Sequence, residues 1–147
     1  MSPTPIEMAE IAKVVRRDVL TMVLEAGSGH IGGSLSAVDA LVVLYWDAMR
    51  VKPENPAWDD RDRFILSKAH AAPALYSVLA RRGFFDVKEL MTFRKLKSIL
   101  QGFPDMQTTP GIDASVGSPG QGLSIANGCA IAAKRDRKEH RVYCLMG

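Results

Sequence analysis

The sequence predicts an α/β fold in which helices flank a parallel sheet. Two short apolar runs, "RFILS" and "RVYCLM", have the length and composition of buried strands. Helical patterns precede the first run and separate it from the second, an alternation that is typical of parallel strands joined through helices. Two strands are too few for a stable sheet. Either further strands lie in the loops, or the sheet is incomplete in this chain.

The first part of the chain predicts two helices joined by a glycine-rich turn. Apolar residues at helical spacings predict a first helix that ends at Gly27. The turn "GSGHIGGS" follows. Ser36 and Asp39 are spaced as a capping box, so we expect Ser36 to begin a second helix containing "ALVVLYWDAM". That helix is apolar on nearly every side, which indicates a buried helix.

The rest of the chain alternates between loops and regular elements. Prolines and charges predict a loop over 52–63, before "RFILS". "APALYSVLARRG" predicts a helix that ends at Gly83, and Asp86 with Glu89 forms a second capping-box pattern before "VKELMTFRKL". Glycine and proline are too frequent over 102–122 for regular structure. A helix of small residues, "LSIANGCAIAAK", then leads to the last strand.

Composition and charge exclude several classes of protein. The 147 residues are 47% hydrophobic and 24% charged, which is typical of a globular domain. A net charge of +3 does not indicate a nucleic-acid partner, and the basic run 134–138 is broken by an acid, as in a solvated connection. "ALVVLYW" is far shorter than a membrane span. Cys129 and Cys144 lie in apolar surroundings and predict buried, unpaired thiols in a cytoplasmic protein.

Two histidines in sharp turns are candidate site residues. His30 lies among glycines, which leave its ring facing a cleft and let a ligand approach the backbone. His70 follows the first strand, and α/β proteins bind ligands at the carboxyl ends of strands. Lys68 beside it is placed to meet an anion. A structural role fits both histidines equally well, since glycine turns are common. His140, before the last strand, is expected at the surface.

A third candidate is the glycine-rich segment "SVGSPGQGLS" at 115–124. Its glycines precede a helix, where free N–H groups and the positive helix end can face a phosphate. The spacing matches neither a dinucleotide fingerprint nor a P-loop, so the pattern is weak on its own. The presence of two turn histidines, His30 and His70, in the same chain strengthens the prediction of a phosphate site at this segment.

Several segments follow one another in the order found in a known family: "SGHIGGS", "DRFILSKAHAAPALY", "FRKLKSILQGFPDM", "SVGSPGQGLSIANG" and "RVYCLMG". Together they resemble the pyrophosphate domain of transketolase over nearly the whole chain. Length and start resemble the N-terminal subunit of a split transketolase. The resemblance implies a thiamine-diphosphate-binding fold, of which residues 1–147 form the N-terminal part, incomplete at the C-terminal end.

The resemblance implies a cofactor site and two catalytic residues. His30 is expected to face the donor sugar and the reacting carbon. His70 is expected at the diphosphate and reactive end of thiamine diphosphate. Gly117, Ser118 and Pro119 match the segment that holds the cofactor through backbone contacts. The implied reaction transfers a two-carbon ketol unit from a ketose phosphate to an aldose phosphate, and imidazoles suit its proton transfers.

Three positions depart from the family's motifs. Ala69 replaces the glycine before His70, and its methyl group is disfavoured if the position needs a positive φ. Pro119 replaces a leucine, which removes one N–H and a side chain that packs on the cofactor. Phe103 stands at the substrate position of a histidine that assists at the sugar hydroxyls. A phenyl ring makes none of those hydrogen bonds, so we expect Phe103 to alter substrate handling more than cofactor binding.

The resemblance also implies a metal and partner chains. In the family, an aspartate after the last strand binds the Mg²⁺ or Ca²⁺ that bridges the diphosphate. This sequence stops at Gly147, before that aspartate, so we assign no metal ligand and expect the chain alone to be inactive. The expected partners are a second copy of this chain, a C-terminal transketolase subunit, and sugar phosphates, without nucleic acid or membrane. We expect exposed apolar surface where partner chains bind.

Two alternatives to transketolase activity stay open. The first is a non-catalytic, transketolase-like module that binds a partner subunit without cofactor. The second is a thiamine diphosphate enzyme of different sugar specificity, which Phe103 favours, or one that catalyses a different reaction. The segments "SKAHAAPALY" and "QGFPDM" resemble transketolase more than deoxyxylulose-phosphate synthase or the 2-oxo-acid dehydrogenases.

Overall fold

A computed structural model describes residues 2–147 as helices packed around a two-stranded parallel sheet. The predicted α/β class is therefore confirmed. In chain order the elements are α1 (Pro5–Ala26), α2 (Ile31–Leu35), α3 (Val38–Val43), a π-helical turn (Leu44–Ala48), β1 (Arg63–Leu66), a 3₁₀ turn (Ala69–Ala71), α4 (Ala72–Arg82), a 3₁₀ helix (Val87–Thr92), α5 (Gln121–Arg135) and β2 (Val142–Leu145).

The sheet brings the ends of two distant segments together. β1 and β2 pair in parallel, with Arg63 opposite Val142 and Leu66 opposite Leu145. α5 precedes β2 and packs against both strands. Within residues 2–147 the sheet has two strands, so the alternative that further strands lie in the loops is wrong. Both strands end at the same edge, because parallel strands share their direction.

The helix α1 begins and ends where the sequence supplies caps. The Thr4 hydroxyl accepts a hydrogen bond from the Glu7 N–H at 3.3 Å, and the Glu7 carboxylate accepts one from the Thr4 N–H at 2.7 Å. This capping box was not predicted from the sequence. The helix ends at Gly27, which has a φ of +64° and confirms the predicted end. A bidentate ion pair at 2.8 Å joins Asp18 of α1 to Arg81 of α4.

The predicted capping box at Ser36 and Asp39 is wrong. The helix α3 begins after Ala37, with no side-chain cap. The Ser36 hydroxyl instead donates to the Gly33 carbonyl oxygen at 3.0 Å, and Asp39 forms an ion pair with Arg16 of α1 at 2.5 Å. A local carbonyl group and a tertiary ion pair therefore use the two side chains that the pattern assigned to the helix start.

The second predicted capping box is correct only in its first residue. The Asp86 carboxylate accepts from the Lys88 N–H at 2.9 Å, but the element it caps is the short 3₁₀ helix, which ends at Thr92. The predicted continuation through "FRKL" is wrong, because Arg94 and Lys97 adopt positive φ values of 60° and 65°. Neither value is compatible with a right-handed helix.

One stretch, Ile31–Ala48, is long and apolar enough to cross a membrane by length and composition alone, with a mean hydropathy of 1.2. The fold divides it among α2, α3 and the π-helical turn. Val38, Leu41 and Tyr45 from this stretch lie in the main hydrophobic core, in line with the predicted burial. Val43 is exposed, so the burial is not complete on every side.

Three residues are less buried or less exposed than the sequence predicted. Cys129 and Cys144 are free but only half-buried, and desolvation raises the pKa of the Cys144 thiol. His140 is half-buried rather than at the surface. His140 lies just before β2. The next residue, Arg141, donates its backbone N–H to the carboxylate of the buried Asp62 at 2.7 Å.

Candidate functional site

The candidate site lies where the two strands end. β1 is followed by Ser67 and Lys68 and by the 3₁₀ turn that contains His70. The end of β2 lies against Lys68, since a Cβ on Gly147 would be 2.8 Å from Lys68 Cδ. The start of α5 reaches the same edge, because the Gly120 N–H donates to the Ser67 carbonyl oxygen at 3.2 Å. Carboxyl ends of parallel strands are the usual ligand sites of α/β proteins.

Five of the six predicted site residues line a single cleft of about 300 Å³ at this edge. They are His30, His70, Phe103, Gly117 and Pro119. They come from four separate parts of the chain, so no local pattern brings them together. Ser118, the sixth, does not line the cleft, and its carbonyl oxygen accepts from the Gln121 N–H at 3.3 Å. The roles of all six toward a cofactor or a sugar stay predictions.

The two histidine rings lie next to each other in the lining of the cleft. Their centroids are 5.3 Å apart, with the ring planes inclined at 60°. His70 approaches the backbone of α2 closely, because a Cβ on Gly33 would lie 2.9 Å from His70 Cδ2 and 3.1 Å from Nε2. Glycine in "GSGHIGGS" therefore permits a close approach, but the group that approaches is the His70 side chain.

Lys68 is the buried charge of the site. Lys68 is 9% exposed, and its ammonium group donates to the Ser36 hydroxyl at 3.0 Å. Within residues 2–147, no carboxylate oxygen lies within 4 Å of the Lys68 ammonium. A buried ammonium group with one neutral acceptor is costly unless an anion approaches it. The sequence pointed to Lys68 as an anion contact without assigning it to the site.

A buried residue and several hydrogen bonds hold the segment that carries Phe103, which forms one wall of the cleft. Phe103 is 48% exposed, while Leu100 beneath it is fully buried. The Tyr76 hydroxyl of α4 donates to the Gln101 carbonyl oxygen at 2.8 Å. Further along, the Asp105 carboxylate accepts from the Gln107 N–H and from the Ser115 hydroxyl, each at 3.0 Å. The Gln107 bond, followed by the Ser115 bond, holds the pKa of the Asp105 carboxyl below its ordinary value.

The start of α5 offers fewer free donors than the glycine pattern predicted. The helix follows Gly120, whose φ is +85°. The Gly120 N–H bonds to Ser67, the Gln121 N–H to Ser118, and the Leu123 N–H to Gly120. Three N–H groups that were expected to face a phosphate are thus bonded within the chain.

The departure at Ala69 is tolerated by the fold. Ala69 does not have a positive φ, and its side chain is fully buried. The glycine that the family has at this position is therefore not required by the backbone. Pro119 is exposed at the mouth of the cleft, where it presents an apolar ring and no N–H.

The part of the chain that the structure describes, residues 2–147, contains no group of three or more His, Cys, Asp or Glu side chains arranged to hold a metal ion. These residues do not fit the divalent cation that the resemblance implies. We assign none of them to a metal.

The fold and the cleft define an α/β domain with a ligand site at the carboxyl edge of a parallel sheet. Its two imidazoles and its buried ammonium group suit a phosphorylated ligand. The sequence model of the family described as "Transketolase, thiamine diphosphate binding domain" matches residues 7–142. The chain belongs to this family, which confirms the resemblance seen in the sequence.

Two relatives are named as transketolase subunits. The chain is 41% identical over 147 residues to the 6-deoxy-6-sulfo-D-fructose transketolase subunit SqwG of Clostridium sp. (strain MSTE9), covering 100% of this chain and 54% of that protein. It is 42% identical over 132 residues to one subunit of the apulose-4-phosphate transketolase of Phocaeicola vulgatus, covering 90% and 47%. The chain thus spans about half the length of these two relatives.

Solved structures confirm the fold of the family. The transketolase of Campylobacter jejuni superposes with a TM-score of 0.91 at 36% identity, over 99% of this chain and 24% of that one. The predicted thiamine-diphosphate-binding fold is therefore correct for the residues described.

Proposed function

We propose that this chain is the thiamine-diphosphate-binding, N-terminal part of a transketolase. It would transfer a two-carbon ketol unit from a ketose phosphate to an aldose phosphate. The observation that carries the proposal is the cleft into which His30, His70, Phe103, Gly117 and Pro119 converge. Residues 1–147 would form the N-terminal part of the pyrophosphate-binding domain.

The charge at this edge of the sheet suits the diphosphate of thiamine diphosphate. When bound, the cofactor supplies the nucleophilic carbon and the electron sink for breaking and forming a carbon–carbon bond. We assign its diphosphate to Lys68, because the Ser36 hydroxyl is the one side-chain partner of the buried ammonium group within residues 2–147. His70 and the backbone of 117–119 complete the proposed cofactor contacts.

The two histidines are the proposed catalytic residues. With ring centroids 5.3 Å apart, both imidazoles can reach one bound molecule. An imidazole nitrogen can donate or accept a proton near neutral pH. We assign His30 to the hydroxyl and carbonyl groups of the sugar, and His70 to the reactive end of the cofactor. No step is assigned to a metal.

Phe103 favours a second candidate, a thiamine diphosphate enzyme with altered sugar specificity. Its phenyl ring forms an apolar part of the cleft wall and cannot hydrogen-bond a sugar hydroxyl. The two subunit relatives are named for 6-deoxy-6-sulfo-D-fructose and for apulose 4-phosphate. We propose a sugar phosphate as substrate, with a sugar sulfonate as the alternative.

The remaining machinery would come from partner chains. We propose that these are a second copy of this chain and a C-terminal transketolase subunit, and the two relatives named as subunits support the latter. Mg²⁺ or Ca²⁺ is part of the proposal on the family resemblance alone. The free cysteines support a cytoplasmic location.

Reconstitution tests the proposal. The protein is mixed with a candidate C-terminal subunit, thiamine diphosphate and Mg²⁺, and ketol transfer between sugar phosphates is measured. We expect turnover that needs both chains and is lost in His70→Ala. If Phe103 sets the specificity, Phe103→His raises turnover on sugar phosphates. Absence of turnover with every phosphate and sulfonate sugar tested, in a pair of chains shown to associate, would favour the non-catalytic module and overturn the proposal.

A further inference from the structure

Arg94 lies between the two walls of the cleft, one carrying His30 and the other Phe103. We infer that Arg94 is a positioning residue, whose guanidinium group holds the two walls at a fixed separation. Its effect on turnover rests on the proposed function. The contact itself does not, and it can be measured without any activity.

The first wall is bound by the Arg94 side chain. Arg94 Nη1 donates to the Ser28 hydroxyl at 3.0 Å, two residues before His30. Phe93 supports the same turn, since a Cβ on Gly29 would lie 3.4 Å from Phe93 Cε1. The Arg94 guanidinium also lies over the Phe93 ring, 5.4 Å from its centroid. The dipeptide at 93–94 therefore packs against the turn that presents His30.

The second wall is bound by both the backbone and the side chain of Arg94. The Arg94 N–H donates to the Leu100 carbonyl oxygen at 2.9 Å. The guanidinium lies against Gly102, where an added Cβ would be 3.1 Å from Arg94 Nε and 3.2 Å from Nη2. Gly102 directly precedes Phe103. One side chain thus contacts two segments that are more than 70 residues apart in the sequence.

The backbone conformation at Arg94 is unfavourable for arginine. Its φ of 60° lies in the left-handed region, which disfavours every residue except glycine. Glycine would suit the turn better if only the turn mattered. A non-glycine residue keeps a strained backbone conformation where contacts with its surroundings hold it there. Such residues cluster at functional sites. The contacts to Ser28 and Gly102 are the features of Arg94 that a glycine could not provide.

Lys97 is a matched control in the same loop. Its φ is 65°, and it is exposed. In the part of the chain that the structure describes, its ammonium group makes no side-chain ion pair within 4 Å. Lys97→Gly and Arg94→Gly relieve the same backbone strain, but only Arg94→Gly removes a contact between the walls.

The test compares the two variants by hydrogen exchange of backbone amides and by thermal unfolding in the whole protein. We expect Lys97→Gly to keep or raise Tm, because it only relieves backbone strain, and Arg94→Gly to have the lower Tm of the two variants. Only Arg94→Gly should speed exchange at Gly27 and Leu100, whose N–H groups bond to the Leu24 carbonyl oxygen and to the Ser98 hydroxyl. The expected change is about tenfold, which corresponds to the loss of one hydrogen bond to a charged group. In the reconstituted enzyme it should raise the sugar KM about tenfold or lower kcat, while Lys97→Gly leaves both unchanged.

Ser28→Ala keeps the inference testable if Arg94→Gly does not fold. It removes the hydroxyl that accepts from Arg94 Nη1, so we expect faster exchange at Gly27 as well. Equal exchange in Arg94→Gly and Lys97→Gly would overturn the inference, as would unchanged exchange in Ser28→Ala. If the wild-type protein transfers no ketol unit, the proposed function fails, while the exchange measurements still decide the role of Arg94.

Discussion

Gly122 is where α5 meets the end of β1, and replacing it should separate the two elements. A Cβ on Gly122 would lie 2.7 Å from Ser67 Cα and 2.8 Å from Ser67 Cβ. These atoms belong to the backbone and its first carbon, so a rotamer change cannot remove the overlap. Ordinary contact begins at 3.4 Å, which requires a displacement of about 0.7 Å. Gly122→Ala therefore forces the start of α5 away from the strand end.

Two opposing effects set the change in the free energy of unfolding of Gly122→Ala. Overpacking of this kind costs about 1–3 kcal/mol. Alanine in place of glycine within a helix returns about 1 kcal/mol. Gly128 provides the control, because it lies in the same helix and an added Cβ there meets nothing within 4 Å. Gly128→Ala should raise the free energy of unfolding by about 1 kcal/mol, so the two variants should differ by about 1–3 kcal/mol.

Chemical denaturation measures the stability difference, and calorimetric titration measures the affinity for thiamine diphosphate. Residues 117–119 directly precede α5, so a displaced helix start moves the proposed cofactor segment relative to His70. We expect the Kd of Gly122→Ala to rise by about tenfold, roughly the effect of 1.4 kcal/mol, and that of Gly128→Ala to stay at the wild-type value. Equal stability and equal Kd in the two variants would refute the reasoning.

Three further predictions concern the cleft and its loop. Gly33→Ala should displace the His70 ring and weaken cofactor binding, while Gly32→Ala in the same helix should leave calorimetric binding unchanged, because its Cβ meets nothing within 4 Å. Lys68→Met should weaken thiamine diphosphate binding about tenfold or more by titration, since it removes the buried positive charge. The lowered pKa of Asp105 stabilises its loop above about pH 4, and that contribution is lost as the pH falls through the folded-state pKa, so proteolysis of the loop should increase in acid.

Each of these predictions has its own control. Lys134 is exposed on α5, and Lys134→Met should bind the cofactor as the wild type does; an equal loss in both lysine variants would mean that total charge, rather than the Lys68 position, matters. Asp105→Asn should remove the acid dependence of proteolysis at the loop. If the dependence persists in that variant, another carboxyl group controls the loop.

The elements with a strong local signal were predictable from the sequence. The ends of α1 and α4 at Gly27 and Gly83 were predicted because glycine has a low cost in the left-handed conformation that ends a helix. The two strands were predicted because both are short apolar runs between turn signals. The 3₁₀ helix and the positive φ at Arg94 were not, because contacts with Ser28 and the 100–102 segment override the helical pattern in "VKELMTFRKL".

The cleft was predictable only through the resemblance. His30 and His70 attracted attention by their turns, and a structural role fitted those turns equally well. Phe103 carries no local signal at all, since an exposed phenylalanine in a loop is ordinary. The family's motifs identified it as a replaced histidine, and the fold places it on the same cleft as both histidines.

The Ser36 hydroxyl, which the local pattern assigned to a helix start, is a partner of Lys68 in the fold. A hydroxyl followed three residues later by a carboxylate satisfies the local rule for a helix start. In the fold, the Ser36 hydroxyl donates a hydrogen bond to the Gly33 carbonyl oxygen, and its lone pair accepts one from the Lys68 ammonium group. Asp39, occupied by Arg16, lies outside ion-pairing distance of Lys68. The arrangement that differs from the local pattern thus holds a buried positive charge at the strand end, and no carboxylate of residues 2–147 pairs with it, which favours the approach of an anion such as a diphosphate.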